Sequence, residues 1–186
     1  MLRARASTAT LGAMSETWPG VDVGRCTPGA VLPLRHAVLR PHQSRAEDVV
    51  FEGDHKPGSA HFCARDAAGM TVCVASVYPE APPWQEPVVP VTAGSWRLRG
   101  MATAPEWRGR GVGSAVLRAV VSHVAAGGGG LFWCNARLGA VAFYTRAGMV
   151  TVDGPWEEPF IGPHIAMFML VEAGQSSPAP GEEPQG

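Results

Sequence analysis

The sequence lacks an excess of charge of either sign. Its 186 residues include 15 Lys and Arg and 16 Asp and Glu, which gives a formal net charge of -1 with the histidines neutral. Such a chain has no field that would attract nucleic acid or anionic lipid without specificity. We therefore expect no nucleic acid and no membrane among its partners, and a small ligand instead.

Long hydrophobic runs are also missing. No stretch reaches the roughly 18 to 20 uninterrupted apolar residues of a membrane span, which excludes a membrane-spanning protein. Residues 1–14 contain arginine and serine and no acidic residue, but they lack the apolar core of a secretory signal. We expect a disordered leader, or a start of translation at Met14, and a cytoplasmic location.

Closely spaced cysteines are absent. Cys26, Cys63, Cys73 and Cys134 form no C-x-x-C motif, and no two histidines stand four residues apart. Neither a zinc site nor a redox motif is indicated. We expect free or buried thiols and no metal. A disulfide between Cys63 and Cys73, across the hairpin described below, is the weaker alternative.

What is present is one folded body between two polar ends. Residues 1–28 are rich in Ser, Thr, Gly and Pro without clear periodicity, and residues 173–186 have too little apolar surface to offset the entropy lost on ordering. The length suits one domain. We predict a disordered leader at 1–28, a folded domain at 29–172 and a disordered tail at 173–186.

The first half of this body is predicted to be a set of antiparallel strands. Residues 30–34 read as a short strand or its entry, with a helical turn at 35–39. Residues 59–65 and 70–78 alternate as a hairpin. Five prolines then exclude a regular strand from residues 79–94, so a loop leads into the next strand, at 95–103.

The second half alternates between helix and strand. Apolar residues recur at helical spacing from residue 111, and the run ends in four glycines at 127–130. A strand at 131–135, a helix at 138–147 and a final strand at 164–171 follow. This order after an antiparallel start predicts an α+β fold whose mixed sheet is flanked by helices.

A glycine-rich turn joins the strand at 95–103 to the following helix. It reads Arg108-Gly109-Arg110-Gly111-Val112-Gly113. Main-chain N-H groups at the start of a helix lack intrahelical partners, so such a turn can bind a phosphate or pyrophosphate, and arginines add charge-assisted contacts. A P-loop would need a lysine here, and a dinucleotide fold would need an acidic residue about 20 residues later. The chain has neither, and a turn without a ligand is the alternative.

Three segments resemble the GNAT N-acetyltransferase superfamily. Residues 108–113 match its acetyl-coenzyme A signature, Arg/Gln-x-x-Gly-x-Gly/Ala, and residues 98–106 resemble the strand and turn before it. Residues 140–149, AVAFYTRAGM, resemble its aliphatic-Phe-Tyr-x-x-x-Gly-Phe phrase, with Met149 in place of Phe. The resemblance spans residues 96–170. It implies a three-layer GNAT-like α+β fold with a centrally splayed sheet of about six to seven strands, and an acetyl-coenzyme A dependent N-acetyltransferase.

The resemblance also implies where acetyl-coenzyme A binds. Main chain of residues 101–103 would pair with the pantetheine arm where the sheet opens. The turn would bind the pyrophosphate, and Asn135 would contact the cofactor or the substrate amide. The implied cofactor-binding residues are Met101, Ala102, Thr103, Arg108, Gly109, Arg110, Gly111, Val112, Gly113, Asn135 and Tyr144.

Tyr144 and His164 are the candidates for proton transfer. The resemblance places Tyr144 near the departing sulfur, where a phenol with a reference pKa of about 10 can protonate a thiolate. A core tyrosine with a satisfied hydroxyl is the alternative. The strand before the signature has no carboxylate, so His164, with a reference pKa of about 6.5, is the candidate base. Glu157 and Glu158 are alternatives, and a purely structural or solvated residue is the other reading of all three.

Arg99 and Trp133 are candidates to line the acceptor pocket, as is the loop around Trp84. All three could equally be packing. For Arg99, an acidic group of the substrate is one partner to consider, but a surface arginine on a face of mixed charge is the expected account. Cys134 leaves a covalent relay open, but direct transfer is expected. The expected acceptor is a primary amine of a small molecule or peptide. The rival is a non-catalytic module that senses acyl-coenzyme A, and a homodimer is left open.

Overall fold

The computed structural model describes residues 20–84 and 94–174. Within them, eight strands and three α-helices follow one another along the chain. Their bounds are β1 Val21–Cys26, α1 Pro28–Leu39, β2 Ala60–Asp66, β3 Thr71–Pro79, β4 Ser95–Thr103, α2 Val112–Ala126, β5 Gly130–Arg137, α3 Val141–Arg146, β6 Val150–Thr151, β7 Trp156–Glu158 and β8 Gly162–Val171.

The strands form one mixed sheet. Its order is β1-β2-β3-β4-β5-β8-β6, and β7 also pairs with β8. The β4–β5 pair is parallel and the other described pairs are antiparallel. The mixed α+β sheet is confirmed. It has eight strands rather than six to seven, because β1 and the short strands β6 and β7 join it.

Helices cover both faces of the sheet. α2 packs through Val116, Val120 and Val124 into the main core, which contains Phe62 and Phe132. α1 packs its buried Val31 against the opposite face, in a smaller cluster with Cys63 and Ala102. These two faces fix which side chains of β4 and β5 point toward α2 and which point toward α1.

β1 corrects the predicted start of the folded domain. It pairs with β2 from Val21, opposite Asp66, to Cys26, opposite His61, although it lies within the predicted leader at 1–28. Val21 and Val23 pack against the main core while Asp22 is exposed. So short an alternation indicates a strand only when a partner edge is present. Residues 1–19 and 175–186 lie outside the described residues.

α1 corrects a second prediction. Residues 28–39 are helical throughout, whereas residues 30–34 were expected to enter a strand. Pro28 stands in the first turn, where a missing N-H costs nothing. Pro33 lies inside the helix and removes one hydrogen bond. Burial of Val31 and Arg35 against the sheet outweighs that loss.

The other predicted elements are confirmed within a few residues. The hairpin is β2–β3, the strand at 95–103 is β4, and the helix after the glycine-rich turn is α2. The predicted helix at 138–147 is a 3-10 turn, Leu138–Ala140, followed by α3. Of the predicted loop at 79–94, residues 85–93 lie outside the described residues.

The expectation of thiols is wrong for two of the four cysteines, and so is the alternative pairing of Cys63 with Cys73. A disulfide joins Cys26 of β1 to Cys63 of β2, while Cys73 and Cys134 are free and buried. Cys63 belongs to the cluster under α1 and Cys73 to the core under α2, so the two point to opposite faces. Cys26 lies two residues from Gly24, the residue opposite Cys63, and therefore shares its face.

Candidate active site

β4 and β5 are paired only at their beginnings. Parallel pairing joins residues 95–97 to residues 131–133. Beyond them, β4 stays paired with β3 up to Thr103, and β5 stays paired with β8 up to Arg137. The facing edges therefore separate, and main-chain groups of β4 are left without a strand partner. This opening confirms the centrally splayed sheet.

A bulge in β4 lies beside this opening. The register with β3 shifts where Val74 pairs with Ala102 and Ser76 with Arg99. Gly100, within the bulge, has φ +64°, and a Cβ atom there would lie 2.3 Å from Nε of Arg35. Glycine alone fits such a position. The bulge takes the amides next to Gly100 out of the regular β3 ladder.

A cavity of about 840 Å³ occupies the opening. It is lined by nine of the predicted cofactor residues: Met101, Ala102, Thr103, Arg108, Gly109, Gly111, Gly113, Asn135 and Tyr144. His164, Arg99 and Glu158 line it as well. The splayed strands therefore bring residues that are far apart in the sequence to one site.

Five predicted residues do not line the cavity, and one of them is Trp84, whose ring centre lies 5.2 Å from that of Trp133. Arg110 is exposed and its guanidinium lies over the Trp107 ring, 5.4 Å from the ring centre. Val112 is buried in the core under α2. Trp133 is buried, and its indole N-H donates to the main-chain oxygen of Glu80 at 2.8 Å. Glu157 is exposed on β7.

The glycine-rich turn has a main-chain shape that depends on glycine. Gly109 and Gly111 have φ values of +74° and +80°, and Gly111 caps the start of α2. The amides of the first turn of α2 have no partner inside the helix and carry the positive end of its dipole. Arg108, in the same turn, donates from Nε to the main-chain oxygen of Thr103 at 3.3 Å.

The phenol of Tyr144 points into an apolar part of the cavity. Its side chain is 8% exposed, and its hydroxyl donates to the sulfur of Met101 at 3.6 Å. Burial, together with the nearby thiols of Cys134 and Cys73, raises the pKa of this phenol well above 10. The hydroxyl is therefore protonated at neutral pH and is held by a weak acceptor, so its proton is available to a thiolate.

His164 presents one ring nitrogen as a base. Its Nδ1 lies 2.8 Å from the main-chain oxygen of Gly162. A carbonyl only accepts, so Nδ1 carries the hydrogen and Nε2 keeps its lone pair in the neutral ring. The ring packs against Trp156 of β7. Glu158 also lines the cavity and accepts the indole N-H of Trp156 at 3.3 Å.

The two free thiols are poor nucleophiles in this environment. Burial is the main cause that raises the pKa of Cys134 to about 12 and that of Cys73 to about 11. Thiolate is the reactive form, and almost none is present at neutral pH with such values. Cys134 is therefore poorly suited to carry the acyl group as a covalent intermediate. This favours direct transfer.

Four further arginines of the cavity were not predicted: Arg40, Arg97, Arg137 and Arg146. Arg40 follows α1 and Arg137 ends β5, and both line the cavity with Arg99. Arg40 donates to the main-chain oxygen of Leu39 at 3.0 Å, and Arg137 donates to the same oxygen at 2.9 Å. Arg137 could have been found, because it is two residues beyond Asn135 on the same face of a strand. Arg40 could not, since residues 35–39 were predicted only as a helical turn and nothing in the sequence places that turn beside β5.

A buried polar network supports this side of the cavity. Arg35 binds both carboxylate oxygens of Asp54, at 2.6 and 3.0 Å, and also donates to Ser76. Asp54 accepts the N-H of Phe51 at 2.8 Å. The Phe51 ring in turn lies 4.5 Å from the guanidinium of Arg35 and 4.2 Å from that of Arg99. The network thereby fixes the ring on which Arg99 rests.

A family model described as the Acetyltransferase (GNAT) family matches residues 32–149. The chain belongs to the GNAT acetyltransferase family. It is also 34% identical, over 135 residues, to the uncharacterized N-acetyltransferase YitI of Bacillus subtilis strain 168. That match covers 73% of this chain and 86% of YitI. This GNAT protein is therefore an acyltransferase.

Solved structures share the fold of this GNAT chain. Escherichia coli ElaA matches with a TM-score of 0.62 and 18% identity, over 80% of this chain and 99% of ElaA. An acyl-CoA N-acyltransferase from Pseudomonas aeruginosa matches with a TM-score of 0.61 and 19% identity, over 80% and 99% of the two chains. At identities this low, these matches show a shared fold and nothing about function.

Neither a metal site nor a membrane-spanning helix is seen in the part of the chain that the structure describes. No group of three or more His, Cys, Asp or Glu side chains is placed to hold a metal ion there. No helix within residues 20–84 and 94–174 has the length and apolar character needed to cross a membrane.

Proposed function

We propose that this GNAT protein transfers an acetyl group from acetyl-coenzyme A to a primary amine of a small molecule or peptide, by direct transfer. One observation carries the proposal. A single cavity contains the unpaired edge of β4, the amides at the start of α2 and the buried phenol of Tyr144. A cytoplasmic location and a homodimer stay predictions from the sequence.

The residues of the cavity fit coenzyme A as a ligand. The free edge of β4 at residues 101–103 suits an extended arm with amide groups, because such an arm can pair as an added strand. The start of α2 suits a diphosphate, with Gly109 and Gly111 allowing close approach of the main chain. Asn135, exposed on β5, is placed to contact the arm or the acceptor.

Proton transfer is assigned to two residues of the cavity. Acetyl-coenzyme A supplies the activated acetyl group as a thioester. Nε2 of His164 would accept the proton of the attacking amine, and Tyr144 would donate its proton to the sulfur that leaves. Main-chain N-H groups at the bulge beside Met101 would donate to the thioester oxygen, where negative charge develops.

The experiment measures thiol release from acetyl-coenzyme A in the presence of primary amines, beside calorimetry with coenzyme A. We expect binding and amine-dependent thiol release. In His164→Gln, release should fall by about 10²- to 10⁴-fold at pH 7 with coenzyme A binding retained. Binding without turnover on any amine would favour the acyl-coenzyme A sensor, and no binding at all would refute both.

A further inference from the structure

Three arginines share the face of the sheet that is turned away from α2. Leu98 of β4 and Ala136 of β5 pack into the core under α2. Side chains alternate along strands, so Arg99 and Arg137 point to the opposite face, where α1 lies. Arg40, directly after α1, reaches the same cavity. Three guanidinium groups therefore meet on the side opposite the helix whose start fits the diphosphate.

None of these three arginines forms an ion pair among residues 20–84 and 94–174. The carboxylates of Glu158 and Glu52 act on Arg40 and Arg99 only at longer range. In the same region, Arg35 pairs with Asp54 and Arg97 pairs with Glu80. No described carboxylate makes an ion pair with Arg40, Arg99 or Arg137. Their described hydrogen bonds occupy one donor each, to main-chain oxygen or to the Tyr78 hydroxyl. An arginine has five donors, so most of the N-H groups remain for a ligand.

The charges are also crowded. Arg40 and Arg137 donate to one carbonyl oxygen, that of Leu39. Like charges so close repel each other, and a half-buried position screens them less than water would. Burial, followed by the charges of Arg137 and Arg99, lowers the pKa of the Arg40 guanidinium, with Glu158 acting in the opposite direction. A bound anion would relieve the repulsion and use the free donors.

His164, the proposed base for the amine, lies close to Arg137 of the arginine group. Arg137 of β5 and His164 of β8 are directly opposed in the antiparallel register. Opposed residues have Cβ atoms about 4.5 to 5.5 Å apart, so one small molecule can reach both. The α-amine of a long peptide has no terminal carboxylate at a fixed short distance. An amino acid has its carboxylate there, and an aminoalkyl phosphate has its phosphate there.

We infer that the acceptor is a small primary amine that carries an anionic group, a carboxylate or a phosphate, bound by Arg40, Arg99 and Arg137 while the amine faces His164. This inference rests on the proposed function, because it concerns the acceptor of that reaction. Guanidinium groups bind carboxylate and phosphate oxygens through paired charge-assisted hydrogen bonds. The two anion sources share that chemistry and are separated by the test.

The test is calorimetry on the protein saturated with coenzyme A, so that it reads binding without turnover. The probes are the common L-α-amino acids, each beside its α-amide, and 2-aminoethyl phosphate beside 2-aminoethanol. We expect at least one anionic probe to bind about 10- to 100-fold more tightly than its neutral partner. An advantage confined to the amino acids indicates a carboxylate, and one confined to the phosphate indicates a phosphate.

Two variants connect that preference to the arginines. Arg99→Met and Arg137→Met should each reduce the preference by about 10-fold or more while coenzyme A binding stays. The control is Arg65→Met, because Arg65 lies on β2 and outside the cavity. This variant should leave the preference for the anionic probe unchanged. Equal binding of acid and amide, no binding by any anionic probe, or a preference that survives both variants would overturn the inference. Selective binding without thiol release would instead refute the proposed transfer and leave the anion site standing.

Discussion

The hydroxyl of Tyr144 has the sulfur of Met101 as its hydrogen-bond partner, and the ring packs among buried side chains. A phenolate there would lose its hydration with no cation to replace it, which is why its pKa is raised. The same burial keeps the proton available over the whole neutral range. Burial therefore keeps this residue in its protonated form, the form in which it has a proton to donate.

Tyr144→Phe should lower kcat by about 10²- to 10⁴-fold, because the sulfur would leave as an unprotonated thiolate. The affinity for coenzyme A, measured by calorimetry, should stay nearly unchanged. In the wild type, a raised pKa keeps the phenol protonated to higher pH. The alkaline loss of kcat caused by this group should therefore lie above about 10, the reference value of a phenol.

Steady-state kinetics from pH 6 to 10.5, with circular dichroism to verify folding at each pH, check both parts. An unchanged kcat in the variant would show that Tyr144 is a core tyrosine and nothing more. A decline in wild-type kcat well below pH 10 that disappears in the variant would contradict the direction of the pKa shift.

At the scale of elements, a buried ion pair ties α1 to the turn at residues 52–55. The side chains of Arg35 and Asp54 are 0% and 1% exposed. Ser76 accepts a further hydrogen bond from Arg35, and His61 contacts Ser76 and the main-chain oxygen of Asp54. Removing one partner of such a pair leaves a buried charge alone, at a cost of about 3 to 5 kcal/mol. The pair thus couples α1 to the segment that carries Phe51.

The predicted consequence is non-additivity. Arg35→Met should lower the free energy of unfolding by about 3 to 5 kcal/mol. Asp54→Asn keeps an oxygen that can accept the N-H of Phe51. Its loss of unfolding free energy should therefore be no larger than that of Arg35→Met. The double variant should lose less than the two single losses combined, by about 1 to 3 kcal/mol, because the charge left behind by either change is gone.

Urea unfolding of the four proteins measures this coupling. Losses that add to within about 0.5 kcal/mol would mean that the two residues act independently. Arg45→Met paired with Asp48→Asn is the matched control, since that ion pair is exposed and should couple by less than about 1 kcal/mol.

At the scale of the whole molecule, the proposed binding of coenzyme A at the start of α2 would be linked to folding. A ligand that binds only the folded chain stabilises it by about 2.7 kcal/mol at 100 times its Kd. For a chain of this size, that corresponds to a rise in Tm of about 5 to 10 °C. Coenzyme A should therefore raise the Tm of the wild-type protein.

Gly111→Val should shrink that rise. Gly111 has φ +80°, where a β-branched residue is strained, so the amides at the start of α2 would move. Gly154→Ala is the control, because Gly154 is exposed, has open space around its Cβ position and needs no positive φ. Thermal shift with and without coenzyme A measures both. A full shift in Gly111→Val would contradict a role for this turn in binding.

Local signals explain what could be predicted from the sequence. Helical spacing from residue 111 indicates α2, alternation indicates the β2–β3 hairpin, and glycines before a helix indicate an anion-binding turn. Each of these depends on residues within one or two turns of chain. The resemblance of residues 140–149 to the family then indicated Tyr144.

Sequence alone therefore determined the order of most elements, the glycine-rich turn and the family. Only the tertiary structure decided that residues 21–26 form a strand, that α1 continues through Pro33, that Cys26 bonds to Cys63, and that Arg40, Arg99 and Arg137 meet. The physical reason is that each of these features depends on a partner far away in the chain. Pairing register and side-chain direction bring such partners together, and local propensity does not encode either.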